Sequence, residues 1–143
     1  MRKFTSFSSC LFLNFSLLRA VIDRAIKIPD IASTAAMAVL KQLGINGGTS
    51  TGTNFIAVLH LAATHNRSSF FNSKRLLIAT ILGDTGNYYK SSYYNRTWIN
   101  EKFNAHGGLT AYDCWIKEIK EALKFGSDPL ITGHERCGQA KQI

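Results

Sequence analysis

The 143-residue chain contains no Cys-x-x-Cys pair, no run of five like charges and no apolar stretch long enough to cross a bilayer. Each absence removes a class of function. The three cysteines, Cys10, Cys114 and Cys137, show no regular spacing with the four histidines. His134 and Cys137 stand three apart, but a second such pair is missing, so no zinc site is expected. The cysteines read as isolated thiols in a reducing compartment. The net charge of +8 comes from 17 basic against 9 acidic residues. These basic residues are scattered, whereas a nucleic-acid footprint clusters them on one face or helix. A solvated basic surface is expected, with no nucleic-acid partner. The apolar stretch from Cys10 to Leu18 is too short for a membrane span, and the chain has no internal repeat or low-complexity tract.

The 45% hydrophobic content is that of a globular protein, and the length suits one domain. Residues 1–19 differ in texture from the rest, being rich in Phe, Ser and Leu without a period. A basic start followed by an apolar stretch is the outline of a secretory signal, but Asn14 interrupts it and Arg19 ends it. Sequons at Asn14, Asn66 and Asn95 are short patterns that arise by chance. A cytoplasmic location is expected.

From Ala20 the signals become regular. Val21-Ile22 and Ala25 to Ile28 read as extended, and Pro29 disfavours helix at Ile28. Asp30 is placed to cap a helix whose apolar face runs from Ile31 to Leu43, with Gly44 as the residue that ends it. Gly44 to Asn54 is glycine-rich, small and polar. It leads into the apolar segment Phe55 to Thr64, which is long enough for a buried helix. Asn66 to Lys74 reads as a polar loop. Leu76 to Leu82 is nearly continuously apolar between breakers, the pattern of a strand buried on both faces of a parallel sheet. Gly83 to Gly86 is a turn at its end, followed by a short helix over Tyr88 to Tyr94. Thr110 is placed to cap a helix through Lys124 that Gly126 ends, and Ser127 to Ile143 reads as a poorly ordered tail. This order implies an α/β protein. Ligands of such sheets lie where strand ends meet helix N-termini, which would bring Gly47–Asn54 and Gly83–Gly86 together.

A glycine-rich loop at a helix N-terminus offers free N–H groups and a positive dipole end to an anion or polar ligand atom. Ser50, Thr51 and Thr53 add hydroxyls. It is not a Walker A loop: Gly47 and Gly52 are correctly spaced, but Thr53 stands where lysine is needed and Asn54 where Ser or Thr is needed. Nor is it a G-x-G-x-x-G dinucleotide loop. The residues alone leave the choice open between a ligand loop of unknown ligand and a tight turn with none.

Several segments together carry a resemblance. Ala20 to Asp30 resembles the "IDRAIxIPD" stretch of cysteine synthase-like enzymes, and Leu43 to Ala63 resembles their "GGSTGxN" loop and following helix. Leu76 to Asp84 is similar to their "TIVTILCD" strand, and Gly86 to Trp98 to the "GxRYxSKxFNxxW" segment after it. The family is the fold type II pyridoxal-phosphate (PLP) enzymes, which include O-acetylserine sulfhydrylase and cystathionine β-synthase. The resemblance implies a three-layer α/β fold around a parallel sheet. It also implies that the Ser50 hydroxyl meets the PLP ring nitrogen, that Gly48, Thr51 and Gly52 shape the loop, and that Asp84 lies near the same ring edge. A neutral hydroxyl leaves the ring a weaker electron sink, suited to replacing the β-substituent of an activated serine with sulfide or a thiol. The implied partners are a small amino-acid substrate and a second protein copy or a full-length relative.

The departures are specific. Thr49 stands where the family has glycine, Gly83 where cysteine is common, and Tyr88 where arginine is usual. The family's Schiff-base lysine belongs to an upstream "SxKxR"-like context, and Ser73-Lys74-Arg75 lies in the wrong part of the fold to replace it. No catalytic residue and no metal ligand is assigned. The expected organisation is a non-family segment at 1–19, a C-terminal part of the PLP domain at 20–99, and a helix plus tail of unknown role at 100–143. The expected function is that of a cysteine synthase-like fragment, inactive alone. The alternatives are a non-catalytic partner or regulator of a full-length relative, and a secreted protein of unrelated function.

Overall fold

The computed structural model describes residues 25–68 and 76–137, with 66–68 described by backbone alone. The segment 1–19, with Cys10 and the Asn14 sequon, lies outside the described residues, as do Val21-Ile22, Ser73-Lys74-Arg75 and the end of the tail.

The described elements are helices. They are α1 (Asp30–Gln42), α2 (Thr49–Ser68), α3 (Arg96–Lys102), α4 (Gly108–Phe125) and α5 (Pro129–Cys137), with short 3-10 turns at Gly86–Tyr89 and Asn104–His106. Helix α1 is apolar or small on nearly every side. Ile31 to Met37, Val39 and Leu40 are all buried, as expected of a helix surrounded by others. It packs on α2 and α4, while α4 also carries α3 and α5. The core joins Ile31, Ala35 and Val39 of α1 to Ile56, Ile99, Phe103, Trp115, Ile119 and Leu130. Ile26 and Ile28 pack against it from the segment before α1.

The ends of α1 differ slightly from expectation. Pro29, extended at φ −65°, is the capping residue and makes no side-chain cap, so Asp30 is the first helical residue. Gly44 follows the C-cap with φ +86°, the left-handed conformation expected there. In α4 the helix starts at Gly108, two residues before Thr110, because Gly107 at φ +91° turns the chain directly into it. Gly126 ends it in the left-handed conformation, as expected. The polar loop expected from Asn66 does not begin there, since α2 continues to Ser68; residues 69–75 lie outside the described residues.

Three expectations fail. Among the described residues there is no sheet, only an isolated antiparallel bridge between Gly47 and Thr85. Residues 76–82 carry neither helix nor strand, and Leu77 is 88% and Ile81 75% exposed. A strand buried on both faces needs strands to pair with and helices to cover it; the described residues offer it no partner strand, and α2 reaches the segment through Asn54. Over 88–94 the 3-10 turn at Gly86–Tyr89 and further turns replace the expected short helix.

The third failure is in the tail, of which Pro129–Cys137 forms α5. The Asp128 carboxylate accepts the N–H groups of Leu130 at 3.1 Å and Ile131 at 3.4 Å, an N-cap followed by proline at the first helical position. Gly133 lies so close to the Trp115 ring that an added Cβ would be 2.0 Å from it. The Cys114–Cys137 disulfide, with Cα atoms 5.7 Å apart, ties α5 to α4. The two cysteines are therefore not isolated thiols: a sequence separation of 23 hid a contact that exists only once α5 folds back. No described helix is long and apolar enough to cross a membrane.

Candidate functional site

The loop before α2 and the segment before Tyr88 meet through backbone hydrogen bonds. The Gly48 N–H donates to the Asp84 carbonyl at 2.9 Å, and the Gly86 N–H donates to the Asn46 carbonyl at 3.0 Å. Side chains extend the seam. Thr51 Oγ1 accepts the Gly83 N–H at 3.3 Å, and the Asn54 amide donates to the Ile81 carbonyl at 2.9 Å. The Tyr94 hydroxyl donates to the Gly47 carbonyl at 2.8 Å. The structure thus brings together the two segments expected to meet, although through a bridge rather than a sheet.

Two glycines are required for this approach. A Cβ on Gly48 would fall 2.1 Å from Asp84 Oδ1 and 2.6 Å from the Tyr89 ring. A Cβ on Gly52 would fall 2.2 Å from the Ser33 carbonyl, so Gly52 lets α2 touch the backbone of α1. There the Ser33 and Thr53 hydroxyls meet at 2.9 Å.

Among the five residues singled out in the sequence, four are engaged inside the protein. Gly48 gives its N–H to Asp84, Thr51 is buried against Gly83, and Gly52 lies on α1. Asp84 Oδ2 accepts the Tyr89 hydroxyl. Ser50 is exposed in the first turn of α2, and its Cβ lies 3.4 Å from where a Cβ on Gly83 would be. It stands at the positive end of a 20-residue helix, where the first N–H groups have no intrahelical carbonyl. Thr49, the residue that departs from the family pattern, is half-buried and hydrogen-bonds the Tyr89 phenol.

Tyr89, Tyr93 and Tyr94 were not singled out in the sequence, although the run Tyr88 to Tyr94 was the available signal. Donation to Asp84, with burial second, holds the Tyr89 phenol above its ordinary 10.0. Burial alone raises Tyr94, over whose ring Lys41 Nζ lies at 4.2 Å. From Tyr89 an aromatic chain runs through Tyr93 and Trp98 to Phe103, with ring centres 5.6, 4.7 and 6.3 Å apart. It links the site to the core. Away from the site, His60 Nδ1 meets Asp128 Oδ2 at 2.8 Å, a pairing across 68 residues that no sequence pattern announced.

The residues fit one edge of a PLP group. A serine hydroxyl has one O–H to donate, which an unprotonated ring nitrogen accepts. The N–H groups of Gly48 and Gly86 are already bonded to carbonyls, so the described loop offers them to no phosphate.

No family model and no solved structure matches the chain. Two curated proteins do. Over 128 residues, 90% of this chain, it is 38% identical to a Caenorhabditis elegans protein named for pyridoxal-phosphate dependence. Over 86 residues, 59% of this chain, it is 35% identical to the L-cysteine desulfhydrase of Mycobacterium tuberculosis. The first alignment is longer than the 20–99 segment that carries the motifs. The chain spans 29% and 22% of these relatives' own lengths. The chain is thus similar to part of a protein named for pyridoxal-phosphate dependence and to part of an L-cysteine desulfhydrase, and it spans less than a third of either.

Proposed function

We propose that the chain is the C-terminal portion of a cysteine-metabolising PLP enzyme and supplies the wall that meets the cofactor's ring nitrogen. The observation that carries this is Ser50, exposed in the first turn of α2 and set beside the 83–86 segment. Ser50 would hold the ring nitrogen, while Gly48, Thr51, Gly52 and Asp84 would keep the loop in shape. When bound, PLP supplies the electron sink for chemistry at an amino acid's β carbon. In the complete enzyme, residues 76–82 would join a parallel sheet of the three-layer fold as a strand. Their apolar, exposed side chains support that reading. The parent reaction would be β-replacement on an activated serine by sulfide or a thiol. The name of the mycobacterial relative, an L-cysteine desulfhydrase, raises a different reaction, elimination of sulfide from cysteine.

With no residue here assigned to the Schiff base, the 143-residue chain supplied with PLP, O-acetylserine and sulfide is expected to form no cysteine. Cysteine formation above the protein-free rate overturns the split-site reading. A second reading, a non-catalytic partner or regulator of a full-length relative, rests on the same exposed run at 76–82. Co-purification with a larger homologue, without bound PLP on this chain, would favour it.

A further inference from the structure

Helices α4 and α5 meet at a cluster that the PLP reading does not use. The ligand atoms of Cys114, Glu118 and Cys137 all lie within 4.8 Å of one another. Cys114 and Glu118 stand four apart on α4 and so share a face, while Cys137 comes from the last turn of α5. Glu118 is 3% exposed, an unusual position for a carboxylate. Its one ion-pair partner among the described residues is Arg136, whose Nη1 lies 3.2 Å from Oε1 and 3.3 Å from Oε2. Arg136 is itself 58% exposed and also reaches Glu121 at 3.6 Å.

We propose that this cluster is a redox-gated metal site: with the disulfide reduced, Cys114, Cys137 and Glu118 bind one divalent cation of the zinc class. The proposal is independent of the reading at Ser50. Reduction adds two electrons and two protons to the disulfide, from a thiol or phosphine reductant, and gives two thiols. Each thiol loses its proton on binding the ion. Two thiolates and one carboxylate then bring three negative charges into a largely buried space. A divalent cation together with the Arg136 guanidinium balances them, whereas Arg136 alone does not. Two soft sulfur donors favour zinc over magnesium or calcium. Three protein ligands leave the fourth tetrahedral position to water. His134, although three residues from Cys137, is turned against Trp115 at 5.8 Å between ring centres and is not in the set. Cys137 also borders a cavity of about 610 Å³ lined by Asp30, Lys102 and His134.

The test is a cobalt titration of the phosphine-reduced chain, read by thiolate-to-metal charge-transfer and tetrahedral ligand-field absorption. One equivalent should bind, zinc should displace it, and the oxidised chain should bind none. Cys10→Ser should leave this unchanged. The Cys114→Ser/Cys137→Ser pair should abolish the charge-transfer band, and Glu118→Gln should weaken binding by about tenfold or more. Absence of a stoichiometric band, or a band that survives the double substitution, overturns the site. Should the double variant not fold, wild-type alkylation decides the question. Zinc should slow modification of Cys114 and Cys137 but not of Cys10, and equal rates with and without zinc overturn the proposal.

Discussion

Single residues at the seam make sharp claims. A methyl on Gly48 has no room between Asp84 and the Tyr89 ring. Gly48→Ala should therefore cost about 1–3 kcal/mol, the range for forcing an extra methyl into a packed place. Gly52→Ala meets a backbone carbonyl of α1, which moves less readily than a side chain, and should cost at least as much in urea unfolding. Ser50→Ala touches no packed group and should unfold within about 0.5 kcal/mol of the wild type. Near-equal midpoints for all three would contradict the geometry of the loop. Tyr89 gives a pH claim. Its folded pKa is raised above 10.0 because the neutral phenol donates to Asp84. The stability it contributes is fully present below about pH 10 and is lost as pH rises through the raised value. In a spectrophotometric titration, Asp84→Asn should bring one tyrosine down toward its ordinary range. Superimposable curves would mean that the carboxylate does not hold the phenol.

Among the elements, α5 depends most on contacts distant in sequence. Its start rests on the Asp128 carboxylate, its middle on Gly133 against Trp115, and its end on the disulfide. Asp128→Ala removes the cap and leaves His60 without its carboxylate, and should cost about 1–2 kcal/mol or more. Asp128→Asn keeps an oxygen for the cap and should cost less. Equal losses would show that the His60 contact, not the cap, holds the helix. These contacts explain what could be read in advance. Asp30–Gln42 and Gly108–Phe125 were legible because apolar spacing and terminal glycines are local signals. The meeting of Gly47–Asn54 with Gly83–Gly86 was expected from the rule that strand ends of an α/β sheet face helix N-termini, and the described residues show the meeting through an isolated bridge without the sheet. Helix α5 was not: Asp128–His60 and Cys114–Cys137 pair across 68 and 23 residues, and nothing local in 127–143 records either contact. The expected strand at 76–82 failed for a different reason. A continuous apolar run reports that a segment is to be covered, not what covers it.

For the whole molecule, the surface is as informative as the core. Leu76, Leu77, Ile81 and Leu82 are exposed together, and Phe55, Val58, Leu59 and Leu61 of α2 are only half-buried. Clustered exposed apolar side chains of this kind mark a surface that another part of a protein covers. Leu77→Ser with Ile81→Ser should reduce self-association of the isolated chain in size-exclusion chromatography, with the unfolding midpoint nearly unchanged. A large loss of stability would mean that these side chains are buried in solution. The central claim is that the chain provides the ring-nitrogen wall of a PLP site and not its lysine. The most direct measurement is borohydride reduction of the native polypeptide, isolated with an antibody to residues 98–115, followed by mass mapping of the pyridoxyl group. The account predicts one pyridoxyl-lysine, on a peptide outside these 143 residues. A pyridoxyl group on Lys27, Lys41, Lys90 or another lysine of this chain, or no pyridoxyl group at all, would contradict it.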